Sequence, residues 1–251
     1  MQNIDDKQYI QKFIDENQTL INYKKEYSSS EIASTIDHTI LKPDATVDEV
    51  AKICEEAIKY KFASVCVNSC HTYFVSDKLA DSGVKTCVVV GFPLGAMSTI
   101  AKVAEVKDAV KNGADEIDMV INIGMLKQQN NNYVLKDIKA VADAAHEGNA
   151  ICKVIIETSL LSDEEKVKAC LLSKLAKADF VKTSTGFNGG GATPKDVSLM
   201  KRVVGNELRV KASGGVRSKE DAHNVLNAGA DRIGASAGVK IVSNQISEAG
   251  Y

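Results

Sequence analysis

Asn112-Gly113-Ala114-Asp115-Glu116-Ile117, Lys177-Ala178-Asp179-Phe180-Val181 and Ala228-Gly229-Ala230-Asp231-Arg232-Ile233 are three renderings of one junction. Each closes a helical pattern, passes an aspartate and enters an apolar run. A junction that recurs along a chain marks a repeated supersecondary unit. Outward from these three, short β-branched runs alternate with longer amphipathic stretches. The strand candidates are residues 32–41, 62–68, 85–92, 116–122, 152–159, 180–186, 208–215 and 232–236. Thr46-Val47-Asp48-Glu49 opens a helix with a capping pattern. Residues 69–80, 98–111, 133–146, 162–176, 194–204 and 218–227 supply further helices, and a last short one follows Ser236. Strands alternating with helices make parallel sheets. Eight such units in 251 residues predict an α/β fold closed as a (β/α)8 TIM barrel, which typically needs ~250 residues.

No linker or low-complexity segment interrupts residues 32–251, so they read as a single barrel domain with a C-terminal tail. Residues 1–31 carry Ile10, Phe13, Ile14, Leu20 and Ile21 at helical spacing. They read as an N-terminal helical extension capping one end of the barrel. The chain is 44% hydrophobic and 25% charged with a net charge of −2, which suits a globular protein and gives no electrostatic pull toward nucleic acid or an anionic membrane. Tryptophan is absent and aromatics are 5% of residues, so base-stacking platforms are not expected. The six cysteines form no C-x-x-C pair and read as reduced, mostly buried thiols of a cytoplasmic protein. The polar start and the lack of a long apolar run predict neither a signal peptide nor a membrane span.

Strand parity turns the pattern into chemistry. Alternate residues of a strand face opposite sides, and the helices around a barrel need the apolar set. Cys66, Asp118, Lys153, Lys182 and Lys211 are therefore expected to face the interior together. Buried ionisable groups are costly unless they pair or work. One reading is structural, with Asp118 and Glu157 compensating the lysines. The other starts from Asp179-Phe180-Val181-Lys182-Thr183-Ser184 and Arg209-Val210-Lys211-Ala212-Ser213, which place a lysine at matched depth on consecutive strands. Parallel neighbours lie ~4.8 Å apart, so mutual repulsion and desolvation should leave one amine neutral. A neutral amine attacks carbonyls and forms a Schiff base. Lys182, near the C-terminal strand end where barrel sites form, is the expected nucleophile. Lys211 is its cationic neighbour, and Asp118 the group for proton transfer.

Glycine-rich loops follow strands six, seven and eight, at Gly186 to Gly191, Gly214-Gly215-Val216-Arg217 and Gly234-Ala235-Ser236. Backbone N–H groups of such loops approach anions closely, and the standard barrel phosphate site lies after strands seven and eight. A phosphorylated aldehyde or sugar is the expected substrate. The histidines, His38, His71, His146 and His223, are scattered. Only His38, in Asp37-His38-Thr39, is near a strand end, where it reads first as a hydrogen-bonded structural residue and second as lining the pocket, so a metal is not expected. No G-x-G-x-x-G or Walker pattern opens a helix, so neither is a nucleotide cofactor.

Taken in order, Ile36-Asp37-His38-Thr39-Ile40-Leu41-Lys42-Pro43, Val65-Cys66-Val67-Asn68, Val90-Gly91-Phe92-Pro93-Leu94-Gly95, Glu116-Ile117-Asp118-Met119-Val120, Lys153-Val154-Ile155-Ile156-Glu157-Thr158, the Lys182 stretch with Gly189-Gly190-Gly191-Ala192-Thr193, Lys211-Ala212-Ser213-Gly214-Gly215-Val216-Arg217 and Arg232-Ile233-Gly234 resemble the deoxyribose-phosphate aldolase family from residue 32 to about residue 242. The resemblance implies reversible cleavage of 2-deoxy-D-ribose 5-phosphate to D-glyceraldehyde 3-phosphate and acetaldehyde. It implies an imine at Lys182, its activation by Lys211 and proton transfer by Asp118, with Asp37, Cys66 and Lys153 as a supporting polar network. Gly186, Gly214, Gly215, Val216, Arg217, Gly234 and Ser236 are implied to cradle phosphate. Ala237 departs from members with a second serine there. Homodimers are common in the family, and some members end in a tyrosine that folds over the site, which makes Tyr251 a candidate proton relay. Three other readings stay open on residues alone: another Schiff-base barrel enzyme, a phosphosugar isomerase using a carboxylate base, and a barrel that only binds a phosphorylated metabolite.

Overall fold

The computed structural model describes residues 4–243. The strands β1 (Ile36–Thr39), β2 (Ser64–Val67), β3 (Lys85–Val90), β4 (Glu116–Val120), β5 (Ile151–Ile155), β6 (Phe180–Lys182), β7 (Arg209–Ser213) and β8 (Arg232–Ala235) close into one parallel barrel in sequence order. Helices α1 (Lys7–Glu16) and α2 (Ser29–Ala33) precede it. The outer layer is α3 (Val47–Tyr60), α4 (Thr72–Leu79), α5 (Thr99–Lys111), α6 (Ile123–Lys127), α7 (Asn131–Glu147), α8 (Asp163–Leu175), α9 (Pro194–Val204), α10 (Lys219–Asn227) and α11 (Gly238–Val242). Apolar outward faces such as Val65, Val67, Ile117, Met119, Val154, Val181 and Val210 are buried under these helices. The main apolar core is thus a shell between sheet and helices, and the space within the sheet holds the charged residues beside a small apolar cluster.

The recurring junction has a physical role. Asp115, Asp179 and Asp231 each stand one residue before an even-numbered strand. Each accepts the backbone N–H of the preceding strand through its carboxylate: Thr86 at 2.9 Å, Cys152 at 2.8 Å and Val210 at 2.8 Å. Each also donates its own N–H to the carbonyl of that same residue. These two-point clasps set the register of β3–β4, β5–β6 and β7–β8 at the N-terminal rim. At the other rim α5 ties the strand ends down. Its fully buried Lys102 donates to Val120 O at 2.9 Å and Asp137 Oδ2 at 2.6 Å, and Glu105 accepts the Gly91 N–H at 2.9 Å.

The barrel agrees with expectation; several boundaries do not. Ile32 belongs to α2, whose N-terminus carries a capping box of Ser28 and Glu31, so β1 starts at Ile36. An apolar run alone does not separate a buried helix turn from a strand. Most strands stop before their expected C-terminal ends. Glu157 (φ 59°) and Gly186 (φ 88°) turn the chain out of the ladder after β5 and β6. The extension does not cap an end of the barrel. Helix α1 packs on α8 and α9, and Leu20 and Ile21 are not helical. They lie in a non-helical segment pinned along the helix layer by Ile21 N to Ser198 Oγ and Tyr23 N to Asn227 O.

Removing a clasp unpairs a strand N–H that a carboxylate now satisfies, a loss of about 1–3 kcal/mol. Asp115→Ala is therefore expected to lower the urea midpoint with an unchanged m-value. Its turnover should match wild type, because the clasps sit at the rim remote from the strand C-termini. A fall in turnover measured below the unfolding transition contradicts this division of the barrel.

Candidate active site

Six strands, β1 and β4 to β8, send charged side chains into the barrel, and three lysines among them meet at Asp118 on β4. Its Oδ1 accepts from Lys153 Nζ at 2.7 Å, and its Oδ2 accepts from both Lys182 Nζ and Lys211 Nζ, each at 2.7 Å. Lys182 and Lys211 are register partners across β6 and β7, so their depths match as the parity reading requires. Sharing one oxygen keeps the two nitrogens within the span of two hydrogen bonds. Asp37 Oδ2 lies 2.5 Å from Lys211 Nζ and 3.7 Å from Lys153 Nζ. All these residues are almost wholly buried; Lys182 keeps 3% exposure, against 0% for Lys153 and Lys211.

Deeper in the barrel a second layer supports the first. Arg232 donates to Asp37 Oδ1 at 2.8 Å and spans both oxygens of Glu116 at 2.8 and 2.7 Å. Glu116 in turn lies 2.7 Å from Lys153 Nζ. Cys66 and Cys87 are register partners on β2 and β3, and the Cys87 thiol donates to Asp118 Oδ1 at 3.2 Å. Cys66 meets the lysine cluster through Cys87 rather than by direct hydrogen bonds. A hydrogen bond from Cys87 is the main effect lowering the Cys66 thiol, whereas burial pushes the Cys87 thiol up. Parity could have found Glu116, two residues before Asp118, and Cys87 and Arg232 on their strands. None was among the five residues expected inside.

Lys211 is the expected cation, and it is facing carboxylates that hold it so. Burial alone would lower Lys211, but Asp118 and Asp37 hold it well above the ordinary amine value. Burial likewise opposes and Asp118 outweighs at Lys153, also held high. The carboxyl groups mirror this: burial would raise Asp118 and Asp37, yet the surrounding lysines hold both far below the ordinary range. Lys211 is thus a fixed ammonium. The suggestion that Glu157 compensates the lysines fails, because its carboxylate turns instead to Thr185 and Asn188. His38 takes the structural reading and not the pocket-lining one. It bonds Glu56 on α3 at 2.7 Å and packs on the Phe62 ring.

Above this cluster, at the strand C-termini, lies a cavity of ≈ 370 Å³. Gly186, Gly214, Gly215, Val216, Arg217, Gly234 and Ser236 all line it, with Gly189, Gly190, Gly191, Ala235 and Ala237. Gly186, Gly214 and Gly215 have positive φ. The N–H groups of Gly186, Gly215 and Val216 donate to no other atom of the described residues. The loops are packed backbone to backbone: a Cβ on Gly191 would stand 2.6 Å from the Gly214 carbonyl. On the β1–β3 side, Leu41, Cys66, Cys87 and Val89 form a small apolar cluster closed by Phe92. Two sets of potential metal donors occur among the described residues, Cys66–Cys87–Asp118 and Asp37–Cys87–Glu116. Their carboxylate oxygens already serve lysine and arginine. Tyr251 lies outside the described residues.

Residues 32–245 match the family described as DeoC/LacD family aldolase. The chain belongs to the DeoC/LacD aldolase family. It is 59% identical over 220 residues to the deoxyribose-phosphate aldolase of Caldanaerobacter subterraneus subsp. tengcongensis, covering 87% of this chain and 95% of that one. It is 59% identical over 219 residues to the namesake enzyme of Staphylococcus haemolyticus, covering 87% and 99%. Among solved structures, the tetrameric deoxyribose phosphate aldolase of Aeropyrum pernix superposes with a TM-score of 0.82 at 33% identity, covering 93% of this chain and 95% of that one. In this aldolase the polar interior is therefore set in a family whose chemistry is carbon–carbon bond making and breaking.

The linkage signs for the aldolase's buried cluster are definite. Carboxyls depressed on folding add stability above their unfolded value of ~3.9, and this is lost as pH falls. Amines raised on folding add stability below ~10.4, lost as pH rises further. Stability from urea unfolding is expected to hold a plateau from about pH 5 to about pH 9 and to fall on both sides. Asp118→Asn leaves buried ammonium groups without their counter-ion and should lower that plateau by about 3–5 kcal/mol. Wild-type stability in the Asp118→Asn variant rules out the cluster as the source.

Proposed function

We propose that this aldolase reversibly cleaves 2-deoxy-D-ribose 5-phosphate to D-glyceraldehyde 3-phosphate and acetaldehyde through a Schiff base at Lys182. The observation that carries the assignment is the pair of lysines, register partners on β6 and β7, that share one oxygen of Asp118. Lys211 has two carboxylates against it and no exposure; it is held as a cation. Lys182 has one carboxylate contact and the residual exposure; it can reach a substrate. Attack requires its free amine. With Lys182 neutral, the cations Lys153, Lys211 and Arg232 face the carboxylates Asp37, Glu116 and Asp118, and the buried charge balances.

The steps follow from that arrangement. The Lys182 amine adds to C1 of the open-chain sugar, and loss of water leaves an iminium beside the Asp118 carboxylate. The C3 hydroxyl gives up its proton as the C2–C3 bond breaks. The bonding pair flows into the iminium, giving an enamine and releasing D-glyceraldehyde 3-phosphate. Protonation at C2 and addition of water then free acetaldehyde and restore Lys182. Asp118 serves as counter-ion to the iminium and as the acceptor through which protons pass; Lys211 keeps the local potential positive. Asp37, Cys66 and Lys153, with Arg232, Glu116 and Cys87, hold these groups in place. The 5-phosphate is assigned to the glycine-lined cavity, with the unpaired N–H groups of Gly186, Gly215 and Val216 and the Arg217 side chain as donors, and Gly214, Gly234 and Ser236 completing the wall. Ala237 adds no hydroxyl there.

Residues 32–251 are read as the catalytic barrel, with 1–31 outside the chemistry. A cytoplasmic place is supported by six free cysteines, five of them buried. No helix among the described residues is long and apolar enough to cross a membrane. A homodimer is the assembly we expect, to be set against the tetramer of the Aeropyrum pernix relative.

Incubation with acetaldehyde and borohydride is expected to add one reduced two-carbon imine to the peptide containing Lys182, and none to Lys182→Met. Cleavage activity in Lys182→Met should fall by about 10⁴-fold or more, as for loss of a covalent nucleophile. Surviving activity with no trapped peptide ends the imine reading.

A further inference from the structure

Glu157 is a buried carboxylate that the chemistry above leaves unused. It is 1% exposed, sits just past β5 and adopts a left-handed backbone (φ 59°). For a residue with a Cβ that conformation costs on the order of 1–2 kcal/mol. No lysine or arginine of the described residues pairs with it. All its side-chain hydrogen bonds go to one loop, the one that carries Gly186. The Thr185 N–H reaches both carboxylate oxygens at 3.3 Å, and the Thr185 hydroxyl donates to Oε2. Asn188 Nδ2 donates to Oε2 at 2.8 Å. Thr185 Oγ1 in turn accepts the Phe187 N–H at 3.1 Å.

The consequence is an alternation of tied and free donors. The N–H groups of residues 185 and 187 are engaged by this clamp. Gly186 between them lines the cavity, and its N–H donates to nothing within the described residues. The clamp then propagates by contact. Ser159, two residues after Glu157, packs so closely on Gly190 that a Cβ there would stand 2.3 Å from the serine Cβ. Gly191 is seated on Gly214 in the same way. A carboxylate here, beside a site that takes an anion, is electrostatically unfavourable for binding. Its placement is explained by orientation rather than by charge.

We infer that Glu157 is the positioning residue of the phosphate cradle, fixing the Gly186 loop so that its free N–H meets the phosphoryl group. This rests on the proposed phosphate site. It separates phosphate affinity, which Glu157 governs, from imine chemistry at Lys182, which it does not touch.

The test compares Glu157→Gln with wild type on 2-deoxyribose 5-phosphate and on unphosphorylated 2-deoxyribose, and measures inorganic phosphate binding by calorimetry. An amide cannot accept at both ends, so loop donors are lost at about a tenfold cost in affinity. The expected result is a KM for the phosphorylated sugar, and a Kd for phosphate, raised about tenfold, with kcat within about twofold. The kcat/KM for 2-deoxyribose and the borohydride trapping at Lys182 should not change. Equal losses on both sugars, or no change in either, overturn the inference. If wild type cleaves neither sugar, the functional reading fails, and the phosphate Kd still decides this one. Thr185→Val and Asn188→Ala remove the two side-chain donors to Glu157 from the loop side and cover the case in which Glu157→Gln misfolds. Each must weaken phosphate binding, and unchanged binding in both overturns the inference.

Discussion

One carboxylate in contact with three lysine amines is the constraint on which the interior of this barrel depends. Moving a carboxylate or an ammonium out of water costs several kcal/mol per ion even after relaxation. Asp118 makes that cost bearable for Lys153, Lys182 and Lys211 at once, and they do the same for it. It can do so only because β4, β5, β6 and β7 present these residues inward at compatible depths, with Asp118 opposite Lys153 and Lys182 opposite Lys211. A shift of one residue in any of these pairings would turn a charged side chain into the apolar shell under the helices. The polar cluster therefore depends on register, and register depends on what fixes the strands.

What fixes the strands differs between the two rims. At the N-terminal rim the aspartate clasps join strands pairwise through carboxylate and backbone. At the C-terminal rim the ladder ends early, and glycines take over. Gly186, Gly214 and Gly215 use positive φ to turn, and Gly191 and Gly214 approach closer than any side chain permits. For β6, β7 and β8 one end is given to stability and the other to exposing backbone donors. The cost at the second end is an unsupported loop, which is why a buried side chain such as Glu157 is spent on holding it.

The alternation of residues 32–236 was enough to read the barrel, because eight strand–helix units leave few other ways to bury apolar strands on their outer faces. Parity was enough to bring Asp118, Lys153, Lys182, Lys211 and Cys66 inside. It did not say who would meet whom. Period two gives a face and not a reach, so that Asp118 extends to lysines two and three strands away was not legible, nor that Glu157 turns away from them. Lys211 is the cation that the residues lead one to expect, but the cause is not legible in them: repulsion between two lysines is visible, while the carboxylates of Asp118 and Asp37 that hold Lys211 charged lie on strands far apart in the chain. Glu116, Cys87 and Arg232 escaped notice for a related reason, since each looks ordinary until its register partner is known. Strand ends were overrun because apolar and small residues continue past the ladder into the loops that form the cavity.

The charge pattern also explains why imine chemistry suits this interior. An ammonium and an iminium carry the same charge, so replacing one by the other at Lys182 leaves the Asp118 counter-ion with an equivalent partner at a similar place. The field of Lys153, Lys211 and Arg232 is fixed by carboxylates that stay ionised, and it need not reorganise as the proposed intermediate forms. Preorganised charge of this kind acts most strongly where water is excluded. Bond cleavage converts the iminium to a neutral enamine, and the potential of the fixed cations then favours that neutral state over a second positive charge beside Lys211. In the proposed reaction, Asp118 is the counter-ion that admits the charged adduct, and the fixed cations supply the bias toward the neutral enamine.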